Sequence, residues 1–195
     1  MSEPGGDPLA LFTRWFEEAR ERGVAQPEAM ALATATSEGV PSARIVLVKG
    51  FDERGLTFFT NYASRKGSEL EANPRAALLF HWTELGRQVR IEGTVTRVDR
   101  AESEAYARGR PRESQVSALA SPQSEPVPDR DWLERRAREL DREHPAELPV
   151  SEDWGGYRLE PAAWEFWQHR DNRLHDRLRY ERGPGGDWRT EVLAP

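Results

Sequence analysis

A mainly β fold of the α+β class, a β-barrel with peripheral helices, is what this chain predicts, built as a single domain over residues 1–195. Three observations carry that expectation. Short apolar and β-branched runs such as "IVLV", "LTFF" and "AALLF" recur along the chain, none long enough to cross a bilayer as a helix. Turn signals such as "SEGVP", "DERG" and "GPGG" separate strand-like runs in the manner of hairpins. Helical periodicity is confined to a few stretches, and no internal repeat divides the chain.

Taken in order, "DPLALFTRWFEEARERG" is a helix marked at both ends. Asp7 suits the N-cap, Pro8 the first helical position and Gly23 the close, with Leu9, Phe12, Trp15, Phe16 and Ala19 as the apolar face. "AMALATAT" reads as a strand, "SARIVLVKGF" as a second and "LTFFTN" as a third. "SRKGSELEANP" is a short helix stopped before Pro74. "RAALLFHW" and "RQVRIEGTVTRV" are two further strands. Residues 99–108 read as helix, and "GRPRESQVSALASPQSEPVP", with its four prolines, as loop. "DRDWLERRARELDREH" is a charged surface helix, because Trp132, Leu133 and Leu140 form only a thin apolar stripe. "WGGYRLEPAAWEFWQ", "LHDRLRYER" and "DWRTEVLAP" supply the last strands. The loop at 109–128 is the only break, and the strands beyond it are too few to form a core alone.

Charge and composition exclude several functions. The net charge is −6, so a basic cluster here points to a small anionic ligand rather than to nucleic acid. Cysteine is absent, which removes disulfides, thiolate metal sites and cysteine nucleophiles and fits a reducing cytoplasm. The start "MSEPGGDP" is acidic and polar, unlike a secretory signal, so a soluble cytoplasmic protein without membrane partners is expected. The chain carries no G-x-G-x-x-G, P-loop, G-x-S-x-G or H-E-x-x-H pattern. His81, His144, His169 and His175 lack metal-ligand spacing, and no metal site is expected.

Three basic clusters stand out against the acidic total. In "NYASRKGSELEAN", Ser64 resembles an N-cap and Arg65 and Lys66 fall in the first helical turn, where cations oppose the helix dipole. Either both reach solvent or they converge with free N–H groups on an anion. In "YARGRPRES", Tyr106, Arg110, Arg112 and Ser114 form a donor set suited to phosphate, or else a solvated loop. In "RLHDRLRY", Arg173, His175 and Arg177 alternate, which on a strand gives one basic face. That face is an anion site or a charged edge that resists aggregation. Lys49 ends the apolar run "RIVLVK", where it lines a site or simply marks the exit to water. Two anionic groups explain three clusters better than one.

These stretches together resemble the pyridoxamine 5'-phosphate oxidase family, the FMN enzymes of vitamin B6 metabolism. The resemblance runs from "DPLALFTRW" through "RIVLVK", "FFTNYASRKGSELEANP", "RQVRIEG", "YARGRPRESQ", "PQS" and "WEFWQ" to "RLHDRLRY" and the terminal "LAP". It implies an FMN-binding split β-barrel, a homodimer with flavin sites at the subunit interface, and oxidation of pyridoxamine or pyridoxine 5'-phosphate at C4' with oxygen as acceptor. Carried over by position, Arg44, Ile45, Val46, Leu47, Val48 and Lys49 line the flavin, with Phe59 and Thr60 from the next strand. Arg65 and Lys66 hold its phosphate, and Gln88, Gln123, Ser124, Trp167 and Arg177 complete the cofactor site. Lys49, Tyr106, Arg110 and Ser114 grip the substrate phosphate, and Arg173 and His175 bracket its ring as the catalytic pair. Hydrogen peroxide and pyridoxal 5'-phosphate are the products implied, and no protein nucleophile is needed.

Three departures lie on the substrate side. A longer basic N-terminal arm is usual in the family, whereas this chain reaches "DPLALF" within a few residues. Ser117-Ala118-Leu119 stands where G-A-W is common, and His169 and Arg170 follow "FWQ" where glycine is common. The rival readings are a phenazine-type flavin oxidase on the same fold and an FMN or pyridoxal-phosphate binding protein without turnover. A deazaflavin reductase fits less well, because both implied phosphate sets are intact.

Overall fold

The computed structural model describes residues 6–195; most of the polar start read above lies outside them. The first helix, α1 (Pro8–Glu21), is capped as the sequence indicates, with Asp7 Oδ1 accepting from the Leu9 N–H at 3.1 Å and Oδ2 from the Ala10 N–H at 3.3 Å. Its buried face is Leu11, Phe12, Trp15, Phe16 and Ala19, so Leu11 takes the place expected of Leu9. Phe12 meets the rings of Phe51, Phe80 and Trp164 at centroid distances of 4.9, 5.1 and 5.4 Å. This helix therefore plugs the mouth of the sheet and closes the core with aromatic area.

The strands are β1 (Ala29–Ala35), β2 (Pro41–Leu47), β3 (Gly50–Asp52), β4 (Gly55–Asn61), β5 (Arg75–Trp82), β6 (Arg87–Arg97), β7 (Trp154–Gln168), β8 (Asp176–Arg182) and β9 (Trp188–Val192). All pairings are antiparallel, in the order β2-β1-β5-β6-β7-β4-β3, with β8 and β9 branching from β7. The long β7 makes this possible. Residues 154–159 pair with β4 and residues 163–168 with β8, while β6 runs along both halves. A strand with two successive partners on one side must bend, and the register shifts at Glu92/Gly93 opposite that bend. A Cβ on Gly93 would lie 2.0 Å from the Glu160 carbonyl oxygen, so the bulge needs glycine.

The sheet curls into a half-barrel rather than a closed barrel. Its two end strands, β2 and β3, are consecutive in the chain: the Val48 N–H prolongs the β1–β2 ladder by donating to Glu28 O at 2.9 Å, and the Lys49 N–H prolongs the β3–β4 ladder by donating to Thr57 O at 2.8 Å. These bonds break the expected single strand "SARIVLVKGF" into β2 and β3. They also turn Val48, 5 % exposed, into the core instead of toward the sheet's outer face. The remaining helices are α2 (Arg65–Ala72), α3 (Arg100–Gly109), α4 (Arg112–Ala120) and α5 (Arg130–Glu143).

Helix α4 corrects the expected loop at 109–128. Pro111 sits at its N-cap, where a missing N–H costs nothing, and Val116 and Ala120 are buried. The other three prolines follow the helix, so proline content concealed it. A second correction concerns "RLHDRLRY". Strand β8 begins only at Asp176, and Arg173 turns back in the left-handed region at φ 65° with its N–H on Arg170 O. The three cationic positions do not form one strand face. Among the described residues no helix is long and apolar enough to cross a membrane.

The start of β7 shows how glycines let the site's neighbours close in. A Cβ on Gly155 would lie 2.1 Å from Tyr62 Oη, and one on Gly156 would lie 2.8 Å from the Phe59 ring. Tyr62 Oη uses that proximity to donate to Gly156 O at 3.0 Å. Gly155→Ala is expected to lower the unfolding free energy by about 1–3 kcal/mol through overpacking. An unchanged urea midpoint would show that Tyr62 swings aside at no cost.

Candidate active site

Strands β2 and β4, the start of α2 and the α3–α4 junction enclose a cavity of about 930 Å³. That lies near the top of the usual range for small-molecule sites and leaves room for two ligands. It is lined by Arg44, Ile45, Val46, Leu47 and Lys49 from the β2 side and by Phe59 and Thr60 from β4. Arg65 and Lys66 come from α2, Tyr106, Arg110 and Ser114 from the helical wall, and Gln123 and Ser124 from the segment after α4. Ser124 is held at φ 76°, a strained conformation for a residue with a side chain.

The start of α2 builds one cationic cluster. Ser64 caps it, its Oγ accepting from the Gly67 N–H at 3.4 Å. Lys66 is 8 % exposed, yet its Nζ donates only to neutral groups: Thr60 Oγ1 and Ser64 Oγ at 3.0 Å and Gln123 Oε1 at 2.8 Å. Burial, reinforced by the nearby Arg44 charge, pulls its pKa down to about 8. Glu69, one helical turn on, is 5 % exposed and accepts from Arg65 Nε at 2.8 Å, Arg44 Nη2 at 3.2 Å and Ser42 Oγ at 2.6 Å. Burial alone would raise its pKa, but the bonds from Ser42, Thr34, Arg65 and Arg44 outweigh it and hold the value at about 2. The carboxylate is therefore ionised throughout the ordinary pH range.

A second cluster stands on aromatic rings. Tyr106 stacks on Phe59 with centroids 3.9 Å apart, and Trp154 lies nearly parallel to Tyr106 at 6.1 Å. The Arg110 guanidinium sits 4.9 Å over the Trp154 ring. Burial lowers the Arg110 pKa, a cost that an anionic partner offsets, and raises that of Tyr106, which keeps its phenol a neutral donor. Trp154 was invisible as a site residue in the sequence, where it reads only as the start of a strand. The ring stack that exposes its role joins residues far apart in the chain.

Five other expected residues do not line this cavity. Gln88, Trp167 and Arg177 pair in one row across β6, β7 and β8. The His175 ring lies 4.7 Å from Trp167, and Arg173 precedes it in the turn. Arg177 is held by Glu165, with its Nε donating to Oε1 at 2.9 Å, and its Nη1 donates to Ala194 O at 2.9 Å. Trp154 marks the cavity at one end of β7 and Trp167 this row at the other. That is roughly 40 Å of strand path at ~3.3 Å per residue. Val48, in the core, is the sixth residue outside the lining.

Residues 16–142 match the family model described as pyridoxamine 5'-phosphate oxidase, and residues 154–195 match the pyridoxine 5'-phosphate oxidase C-terminal dimerisation region. A pyridoxine/pyridoxamine 5'-phosphate oxidase of Rubrobacter xylanophilus is 57 % identical over all of this chain and 91 % of its own length. One from Cupriavidus necator is 56 % identical over 97 % of this chain and 89 % of its own. Among solved structures, PhzG from Burkholderia lata, in complex with tetrahydrophenazine-1-carboxylic acid, superposes with a TM-score of 0.94 at 40 % identity, covering 99 % of this chain and 95 % of that one. A pyridoxamine 5'-phosphate oxidase-related, FMN-binding protein from Nostoc punctiforme shares the fold, with a TM-score of 0.77 at 19 % identity over 98 % of this chain and 99 % of its own. With two consecutive family models spanning most of its length and relatives above half identity, the chain belongs to the pyridoxamine 5'-phosphate oxidase family.

Proposed function

We propose that the chain is an FMN-dependent oxidase that converts pyridoxamine or pyridoxine 5'-phosphate to pyridoxal 5'-phosphate, with oxygen as acceptor. One observation carries the reading: a single cavity is lined by two separate cationic clusters, on α2 and at the α3–α4 junction. That suits a phosphorylated cofactor beside a phosphorylated substrate. The donor set on α2 fits FMN. A buried ammonium with only neutral partners and an arginine at a capped helix start call for a dianion.

When bound, FMN supplies the two-electron chemistry, accepting electrons from the substrate carbon and passing them to oxygen to give hydrogen peroxide. The chain's own work is to bind and orient. Arg65 and Lys66 fix the cofactor phosphate, and Thr60 and Gln123 hold the Lys66 ammonium in place. Lys49, Tyr106, Arg110 and Ser114 fix the substrate phosphate. The Arg170 N–H donates to His175 Nδ1 at 3.1 Å, which leaves Nε2 as the ring's free donor for the role this reading gives it. Because His175, Arg173, Gln88, Trp167 and Arg177 lie away from the cavity, they complete the site of a second subunit in a homodimer. The match of residues 154–195 to a dimerisation region supports this arrangement.

The test is turnover. The purified protein is expected to be yellow, with about one FMN per chain, and to release peroxide with pyridoxamine or pyridoxine 5'-phosphate far better than with the dephosphorylated forms. Equal rates on both forms would sink the substrate-phosphate assignment and favour a phenazine-type ring as substrate. A colourless protein that takes up no FMN would sink the whole reading.

A pH dependence follows from Lys66. Its ammonium is favoured when a phosphate binds, so FMN binding takes up a proton wherever the free site is neutral. Since the free-site pKa is about 8, FMN affinity is expected to be flat near neutrality. Above that pH it should weaken by up to about tenfold per pH unit. Fluorescence titration across this range checks it, with riboflavin, which lacks the phosphate, as the insensitive control.

A further inference from the structure

We propose that Glu69 is the positioning residue of the cofactor-phosphate site, holding the Arg65 fork in its binding orientation and setting the preference for FMN over the unphosphorylated flavin. This rests on the reading that the cavity takes FMN. A buried carboxylate beside an anion site is at first sight a defect, because it repels the ligand. Its contacts explain its presence. Arg65 is 59 % exposed, and a long exposed side chain samples many rotamers. Glu69 Oε1 accepts from Arg65 Nε at 2.8 Å, and this pins the guanidinium by its inner nitrogen. Among the described residues neither Nη of Arg65 has a partner, so both remain for a phosphate.

Arg44 is handled in the opposite way. Its Nη1 donates to Leu32 O at 3.1 Å and to Thr34 Oγ1, and its Nη2 to Ser42 Oγ and Glu69 Oε2. Its two Nη groups are engaged in the wall, and Glu69 offsets one positive charge there. With Glu69 counted, Arg44, Arg65 and Lys66 leave a net of two positive charges around a phosphate that carries up to two negative ones. Glu69 also ties α2 to β1 through Thr34 and to β2 through Ser42. Losing it therefore loosens the helix start as well as the arginine.

The test compares FMN and riboflavin affinities of the apo protein by flavin fluorescence, because their ratio reads the phosphate site alone. In Glu69→Ala the ratio is expected to fall by about tenfold or more, the scale of a misplaced charged hydrogen bond. Glu69→Gln keeps an acceptor for Arg65 Nε and is expected to recover most of the ratio. In an Arg65→Ala background, Glu69→Gln should change the ratio little, because the residue it acts through is gone. An unchanged ratio with both flavins weakened equally would make Glu69 only a structural tie. Tighter FMN binding in both variants would mean that repulsion outweighs alignment, and either result overturns the proposal. If Glu69→Ala does not fold, Glu69→Asp decides instead. It keeps the buried charge but draws the carboxylate back from Arg65 Nε, so the ratio is expected to fall in the wild-type background and to stay unchanged in Arg65→Ala, and an unchanged ratio in both overturns the proposal. Wild-type protein that fails to prefer FMN would instead sink the cofactor reading itself.

Discussion

Lys66→Met is expected to leave a folded protein that no longer retains FMN. The two effects have opposite signs, and the burial of one ammonium explains both. In the free site Lys66 has its pKa lowered from the ordinary 10.5 to about 8 by burial and by the Arg44 charge. A lysine with a depressed folded-state pKa favours the neutral form on folding. It therefore costs stability below pH 8, and the cost disappears as the pH rises toward the unfolded value. Methionine fills similar volume without that cost, which is about 3 kcal/mol near neutrality. Part of the gain is offset because Thr60, Ser64 and Gln123 lose a donor. The variant should melt at or above the wild-type temperature. Its FMN affinity should fall by about 1.5–3 kcal/mol, roughly 10- to 150-fold, the worth of a charged hydrogen bond in a dry site. Thermal melting of apo protein and flavin titration separate the two. A variant that melts lower and binds FMN normally would show Lys66 to be a structural cation.

Much of the fold was legible because local signals and tertiary demands agree. Asp7 and Pro8 start α1, Ser64 starts α2, and the short apolar and aromatic runs become β1, β4, β5 and β6. The misreadings have physical causes. Helix α4 is nearly without amphipathic contrast, burying only Val116 and Ala120, so its prolines dominated the reading. The break at Val48 is imposed by hydrogen bonds to Glu28 and Thr57, on other strands, which no local pattern reports. Arg173 adopts a left-handed turn conformation that alternation of residue types does not encode. In the cavity, the basic residues were legible as cations at a helix start, where they oppose the dipole, and as separate clusters in an acidic chain. Glu69 was not, because "SELE" reads as an ordinary exposed helix face until the strands bring Thr34, Ser42 and Arg44 onto it. Trp154 was hidden for the same reason, since its partners Tyr106 and Arg110 arrive from α3 and the turn that follows it.

Mixing two inactive variants is expected to restore flavin binding. In one chain the Lys66 cluster and the row Gln88–Trp167–Arg177 sit at opposite ends of β7. If both serve one flavin, they must come from different subunits. Arg177→Ala should then lose FMN much as Lys66→Met does. The protein should still fold, because Glu69 and its network are untouched and Glu165 keeps its bond from Arg90 Nη2 at 2.8 Å. Random pairing of the two variants makes about half the dimers mixed. Each mixed dimer has one site built from two intact halves and one carrying both lesions. About a quarter of all sites should therefore regain FMN, from a background near zero in either variant alone. The measurement is flavin retained through gel filtration after the two chains are produced together, with distinct tags to isolate the mixed species. A site formed within one chain allows no such recovery, because every chain carries a lesion. Wild-type retention by Arg177→Ala alone would remove the row from the cofactor site. Recovery near a quarter would place the two halves of the site on different subunits.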